Sequence, residues 1–143
     1  MKALLRQGAL LLVLALLPGA VQAVFLRGSI PWQSRVAESD LVTVDAARGW
    51  GARVLWVDAR PSEEFERDHI PDAVSLNEDR WGEALPEFLA KHWSPDKKIV
   101  VYCSAASCNL AEDVARRLRD EAKLPNEIFI LKGGWEAWQE KKK

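Results

Sequence analysis

Five short apolar stretches lie along residues 40–131, separated by segments with helical spacing. Asp40–Val42 reads as a short edge strand, and Thr43 predicts the N-cap of a helix through Ala46 and Ala47, ended at Gly49 or Gly51. Val54–Asp58 (VLWVD) is an apolar run that closes on a carboxylate. Pro61 suits a first helical turn, Glu63 and Glu64 suit its dipole, and Phe65 is the expected core anchor. His69–Ala73 (HIPDA) is a turn, because a residue before proline favours extended geometry. Val74–Leu76 predicts a third strand, and Trp81, Leu85, Phe88 and Leu89 space a helix over Trp81–His92.

After the Pro95-Asp96 turn, Ile99–Tyr102 predicts a buried strand, followed by six small or polar residues, Cys103 to Cys108. A helix is expected from Asn109 or Leu110. Leu110, Val114 and Leu118 share its apolar face with Ala111 and Ala115. Asn109 with Glu112 resembles a capping box, and Glu112–Arg116 and Asp113–Arg117 are expected ion pairs. Glu127–Leu131 predicts a fifth strand, Gly133-Gly134 a turn, and Trp135–Lys141 a terminal helix. Strands alternating with helices imply an α/β fold, a five-stranded and mainly parallel sheet with helices on both faces. Trp50, Trp56, Trp81 and Trp93 are expected to fill core and inter-helix space, and Trp138 to pack in the core or at its rim.

Upstream of this pattern the polarity changes. Lys2 and Arg6 precede an unbroken apolar run, Ala9–Leu17, then Pro18-Gly19 and the small residues Val21 and Ala23. That is the layout of a secretory signal peptide over residues 1–23, or of a membrane anchor apolar to about residue 26. Either would deliver the chain to the periplasm or beyond, in an oxidising compartment. Residues 24–39, with Gly28 and Pro31, are expected to form a linker, with Trp32 expected to dock on a domain spanning 40–143. Contact with a membrane is expected only through the N-terminal segment. The whole chain has a net charge of -1, and removal of Lys2 and Arg6 leaves -3, so no nucleic-acid partner is expected. A monomer is expected, and the Lys141–Lys143 run is a solvated end.

The chemistry sits in the Cys103–Cys108 stretch, which holds both cysteines. In an exported chain two cysteines first suggest a structural disulfide. A bridge between these two closes a small loop, worth on the order of 2 kcal/mol, a weak staple for a domain. A thiol at the carboxyl end of a strand, before a helix N-terminus, is instead placed for reaction, because free N–H groups and the helix dipole stabilise a thiolate. Zinc needs ligands beyond two cysteines; His69 and His92 are the only histidines, and no metal spacing joins them to the loop, so neither a metal nor another cofactor is expected.

Three segments carry a family resemblance. VDARPSEEFERDHIPDAVSL (Val57–Leu76), VVYCSAASC (Val100–Cys108) and FILKGGWEAW (Phe129–Trp138) together resemble the rhodanese-like family, in its order and at its separations. The resemblance implies a sulfurtransferase with Cys103 as nucleophile. It would take sulfur from a small sulfane-sulfur donor such as thiosulfate and pass it to a thiol or protein acceptor. The backbone of Ser104, Ala105, Ala106 and Ser107 would wrap the sulfur. Asp58 and Arg60 would brace the surrounding loops, His69 would be a hydrogen-bonded turn residue, and Trp135 would shape the pocket mouth. Two departures stand out. Ala106 replaces a common glycine, and Cys108 stands where many members close the loop with a base. Loss of that cation argues against tight thiosulfate binding and against phosphatase chemistry. Cys108 is instead a candidate resolving thiol. Two rival functions remain at this point: a dithiol–disulfide redox protein using Cys103 and Cys108, and a catalytically silent binding module.

Overall fold

The computed structural model describes residues 36–104 and 108–142, which fall in a compact unit, Val36–Lys143. The expected signal or anchor segment, most of the linker with Trp32, loop residues Ala105, Ala106 and Ser107, and Lys143 lie outside the described residues, as does the side chain of Cys108. No helix among the described residues is long and apolar enough to cross a membrane.

Five strands, β1 (Leu41–Val42), β2 (Val54–Asp58), β3 (Val74–Ser75), β4 (Lys98–Tyr102) and β5 (Ile128–Leu131), form one sheet in the order β1-β5-β4-β2-β3. Every pairing is parallel. The helices are α1 (Val44–Gly49), α2 (Ser62–Arg67), α3 (Trp81–Lys91), α4 (Cys108–Asp120) and α5 (Gly134–Glu140).

Strand alternation sorts the core into two layers. Leu55, Val57, Ile99, Val101, Ile128 and Ile130 face one side, packed with Trp81 and Phe88 of α3 and with Ala111, Val114, Ala115 and Leu118 of α4. Val54, Trp56, Val100, Tyr102 and Leu131 face the other, packed with Val44 and Ala47 of α1 and with Trp135 and Trp138 of α5. β2, β4 and β5 are therefore apolar on both faces, which is why β2 reads as a continuous run rather than an alternation.

Local signals hold where the partner is a near neighbour. Thr43 caps α1, its hydroxyl accepting from the Ala46 N–H at 3.3 Å. Other expectations are corrected. Pro61 stands just before α2, with an extended ψ of 147°, rather than inside its first turn. Phe65 is half-buried and stacks on His69 at 4.0 Å between centroids; no residue of α2 is buried, and Ile70, fully buried, is the anchor of this segment. α4 begins at Cys108, so Asn109 lies inside the helix and is not its cap. Among the described residues of α4, Arg116 pairs with Asp113 at 3.0 Å, and Arg117 pairs with Glu121 at 2.9 Å rather than with Asp113 and lies over the Trp81 ring. Trp50 and Trp93 are half-buried, and the Trp93 indole N–H donates to the Asn126 side-chain oxygen at 2.8 Å.

Leu118 is fully buried on α4. Leu118→Ala is expected to lower the unfolding free energy by about 2–5 kcal/mol in urea titrations. Arg116→Ala, at a side chain 57% exposed on the same helix, should change it by about 0.5 kcal/mol or less.

Candidate active site

The strand order turns at β2 and β4. From β2 the chain moves outward to β3; from β4 it moves the other way to β5. A parallel sheet opens a crevice at the carboxyl ends of the two strands where the order reverses. Asp58 and Tyr102 are paired there in register, and Cys103 follows Tyr102 by one residue. The topology thus brings the Asp58–Arg60 end of β2 beside the start of the cysteine loop.

Cys103 is buried, 3% exposed, and its side chain packs in the α3–α4 layer. Its carbonyl accepts the Trp135 N–H at 2.8 Å. Contact is so close that a Cβ on Gly134 would overlap the Cys103 carbonyl oxygen. Gly134 also has a φ of +57°, in the left-handed region that favours glycine. Both features require glycine, and both follow from α5 starting directly against the end of β4.

Behind this contact lies a buried charge pair. Asp58 is fully buried and Arg60 is 3% exposed. Arg60 Nη2 donates to Asp58 at 2.7 Å and its Nε at 3.0 Å; Nη2 also donates to the Asp68 carbonyl at 2.8 Å. Burial works against the guanidinium charge, but Asp58 outweighs it and raises the Arg60 pKa. The guanidinium carbon sits 4.6 Å from the centre of the Trp135 ring and 5.5 Å from that of Tyr102. Tyr102 is fully buried, and its hydroxyl accepts the Ile70 N–H at 3.2 Å. Burial first, and then its hydrogen bond with Asp58, push the phenol above its ordinary range.

His69 Nδ1 donates to the Phe65 carbonyl at 2.8 Å, which makes it a hydrogen-bonded residue of the turn after α2. Ser104 is half-buried; the other three loop residues proposed to wrap the sulfur are outside the described residues. A cleft of about 530 Å³ is lined by Arg60, Glu64, Arg67, Asp68, Trp135 and Gln139. Among the described residues no group of three or more His, Cys, Asp and Glu is arranged to hold a metal.

Tyr102 and Gly134 were not legible as site residues. Tyr102 reads as one more apolar strand position, although a buried phenol needs a hydrogen-bond partner, and that need was the available signal. Gly134 reads as half of a turn.

Tyr102 is the only tyrosine in the chain, so its ionisation is measurable by itself. Its folded pKa lies above the unfolded value of about 10, so stability is full below that pH and falls as pH rises above it. Tyr102→Phe should flatten that part of the alkaline stability profile and cost about 1–3 kcal/mol at neutral pH by leaving the Ile70 N–H unpaired. Gly134→Ala should cost about 1–3 kcal/mol in urea and change the alkylation rate of Cys103 in a Cys108→Ser background.

A family model described as rhodanese-like domain matches residues 43–141. The thiosulfate sulfurtransferase GlpE of Pseudomonas savastanoi pv. phaseolicola is 31% identical over 94 residues, 66% of this chain and 78% of that protein. An HTH-type transcriptional regulator of Mycobacterium tuberculosis is 34% identical over 86 residues, 60% of this chain; the match spans only 34% of the regulator's length. Among solved structures, the BH2092 protein of Bacillus halodurans superposes with a TM-score of 0.56 at 23% identity, covering 87% of this chain and 82% of that one. A rhodanese-related protein of Thermoplasma volcanium gives 0.53 at 17% identity, covering 70% and 90%. At such identities these two structures establish a common fold and nothing finer.

Proposed function

The chain belongs to the rhodanese-like domain family, and from that premise we propose that it is an exported sulfurtransferase carrying sulfane sulfur as a persulfide on Cys103. The observation that carries the reading is the seat of Cys103. It lies at the carboxyl end of the central strand, at the point where the strand order turns, with its carbonyl held by the Trp135 N–H. The relative named as a thiosulfate sulfurtransferase supports the reaction class.

In the proposed reaction the Cys103 thiolate attacks the outer sulfur of a thiosulfate-type donor. The donor's S–S bond breaks, sulfite leaves with the electron pair, and a persulfide remains on Cys103. A thiolate or cyanide then takes the outer sulfur, and its attack returns the Cys103 thiolate. No net oxidation occurs. Burial of Cys103 shields the persulfide from bulk water. Asp58, Arg60, Tyr102 and Trp135 act as positioning residues, holding the backbone on either side of the crevice.

Cys108 supplies a second route. Its thiol attacks the Cys103 sulfur, displaces the outer sulfur as hydrogen sulfide, and leaves a Cys103–Cys108 disulfide. Export rests on Lys2, Arg6 and the apolar run Ala9–Leu17. The intact mass of protein from its native compartment reports cleavage after Ala23, an added sulfur or a disulfide together.

Cys103→Ser is expected to abolish thiosulfate:cyanide and thiosulfate:thiol turnover, by about 10³-fold or more. Cys108→Ser should retain turnover, lengthen the persulfide lifetime and remove the disulfide. Insulin reduction by the wild type without any sulfur transfer would instead establish the dithiol redox protein. Absence of both activities, with no persulfide mass after incubation with thiosulfate, would establish the silent binding module.

A further inference from the structure

Phe65 is the large apolar residue of α2, yet it is only half-buried. It lines a second cavity, of about 300 Å³, between α2 and α3 at the β3 end of the sheet. Ala84 of α3 shares that lining, and around it stand three carboxylates, Glu66, Glu83 and Glu87, against one guanidinium, Arg80. Arg80 is paired with Glu83 at 3.1 Å and Glu87 with Lys91 at 2.8 Å. Among the described residues the exposed Glu66 carboxylate has no ion-pair partner. The surroundings have the same sign. Residues 61–91 hold nine acidic residues and three basic ones, whereas the rest of the chain holds twelve acidic and seventeen basic, so negative charge is gathered on the α2–α3 side.

Ser75 also lines this cavity, and it belongs to an outermost strand, since β3 pairs with β2 alone. Across that pairing the Leu76 N–H donates to the Asp58 carbonyl at 2.9 Å. Backbone groups of successive strand residues point to opposite sides, so the N–H and C=O of Ser75 point away from β2, along the open edge. Among the described residues no turn, cap or side chain bonds to them. Ser75 is half-buried rather than enclosed, which leaves the edge within reach of another chain. Unpaired backbone groups on an outer strand accept an extended segment as an added strand.

We propose that the β3 edge is a docking site for a partner protein that presents an extended basic segment. The segment pairs with the Ser75 N–H and C=O as a short added strand. Its lysine or arginine side chains enter the cavity, their stems against the Phe65 ring and their charges against Glu66 and Glu83. A neutral segment would gain the backbone bonds without the charge pairing, and an acidic one would meet like charge. In register, Ser75 is level with Asp58 and Asp58 with Tyr102, so the docked segment lies at the carboxyl edge of the sheet. Docking of this kind requires no reaction at Cys103 and goes beyond the sulfurtransferase reading.

The test is a titration of the full chain with a capped hexapeptide, Thr-Arg-Val-Lys-Val-Arg, followed by NMR. Two peptides of the same length serve as comparisons, one with glutamate and one with glutamine at the three basic positions. Saturable shifts are expected at Val74, Ser75 and Asn77 with the basic peptide, together with slowed exchange of the Ser75 amide. The glutamine peptide should bind about tenfold more weakly, and the glutamate peptide should leave those signals unmoved. Glu66→Gln and Glu83→Gln should each weaken binding of the basic peptide about threefold. Asp45→Asn, on α1 across the sheet, should leave it unchanged. Methylation of alternate backbone nitrogens in the peptide removes its donors to the edge and should weaken binding about tenfold. Shifts as large around Asp45 as around Ser75 would mean diffuse charge attraction and overturn the proposal. Binding indifferent to both glutamine substitutions, or undiminished by backbone methylation, overturns it as well. Each of these outcomes is read without sulfur loading, so loss of sulfur transfer in Cys103→Ser bears on the reaction and not on the docking site.

Discussion

The ion pair between Asp58 and Arg60 is the constraint on which the crevice depends. Both charges are out of water, so each needs the other, and the guanidinium needs further acceptors to offset its desolvation. Those needs are met by groups from separate parts of the chain. The Asp68 carbonyl ties in the turn after α2, and the rings of Tyr102 and Trp135 tie in β4 and α5. A charge buried at this edge therefore orders three segments at once. Removing either partner would leave the other stranded, which makes the pair a demanding feature as well as an organising one.

Cys103 inherits its position from that order. It follows Tyr102, whose hydroxyl holds the Ile70 N–H across the crevice, and it precedes a loop whose first carbonyl is clamped by α5. The Cys103 carbonyl and the start of α5 approach so closely that only glycine fits at position 134. The loop that follows ends in Cys108 rather than in a basic residue. Arg60 and Arg67, from the β2–α2 side, line a cleft together with Trp135.

Much of the fold was legible in the chain. Apolar runs marked all five strands to within a residue, Thr43 marked a cap it does form, and the Leu118 face of α4 was evident from its spacing. Two of the errors share a cause. Phe65 looked like a core anchor because it is the large apolar residue of its segment, but α2 runs along the surface and Ile70 reaches the core instead. Arg117, expected to pair with Asp113, instead lies over Trp81, a residue of another helix, and pairs with Glu121. In both, a partner distant in sequence overrode a local preference.

The amino-acid sequence by itself determined the alternation of strand and helix, the parallel sheet and the place of Cys103 just past a buried strand. Those properties depend on periodicity, caps and turn residues a few positions apart, and such short-range physics is written in neighbouring residues. Only the tertiary structure decided that β2 lies against β4 with Asp58 level with Tyr102, that Tyr102 reaches Ile70, that Gly134 abuts the Cys103 carbonyl, and that Arg67 and Gln139 share a cleft. Those contacts join residues tens of positions apart in the chain. They exist because burying both faces of the sheet leaves one packing in which the buried charges and backbone groups of the crevice find partners.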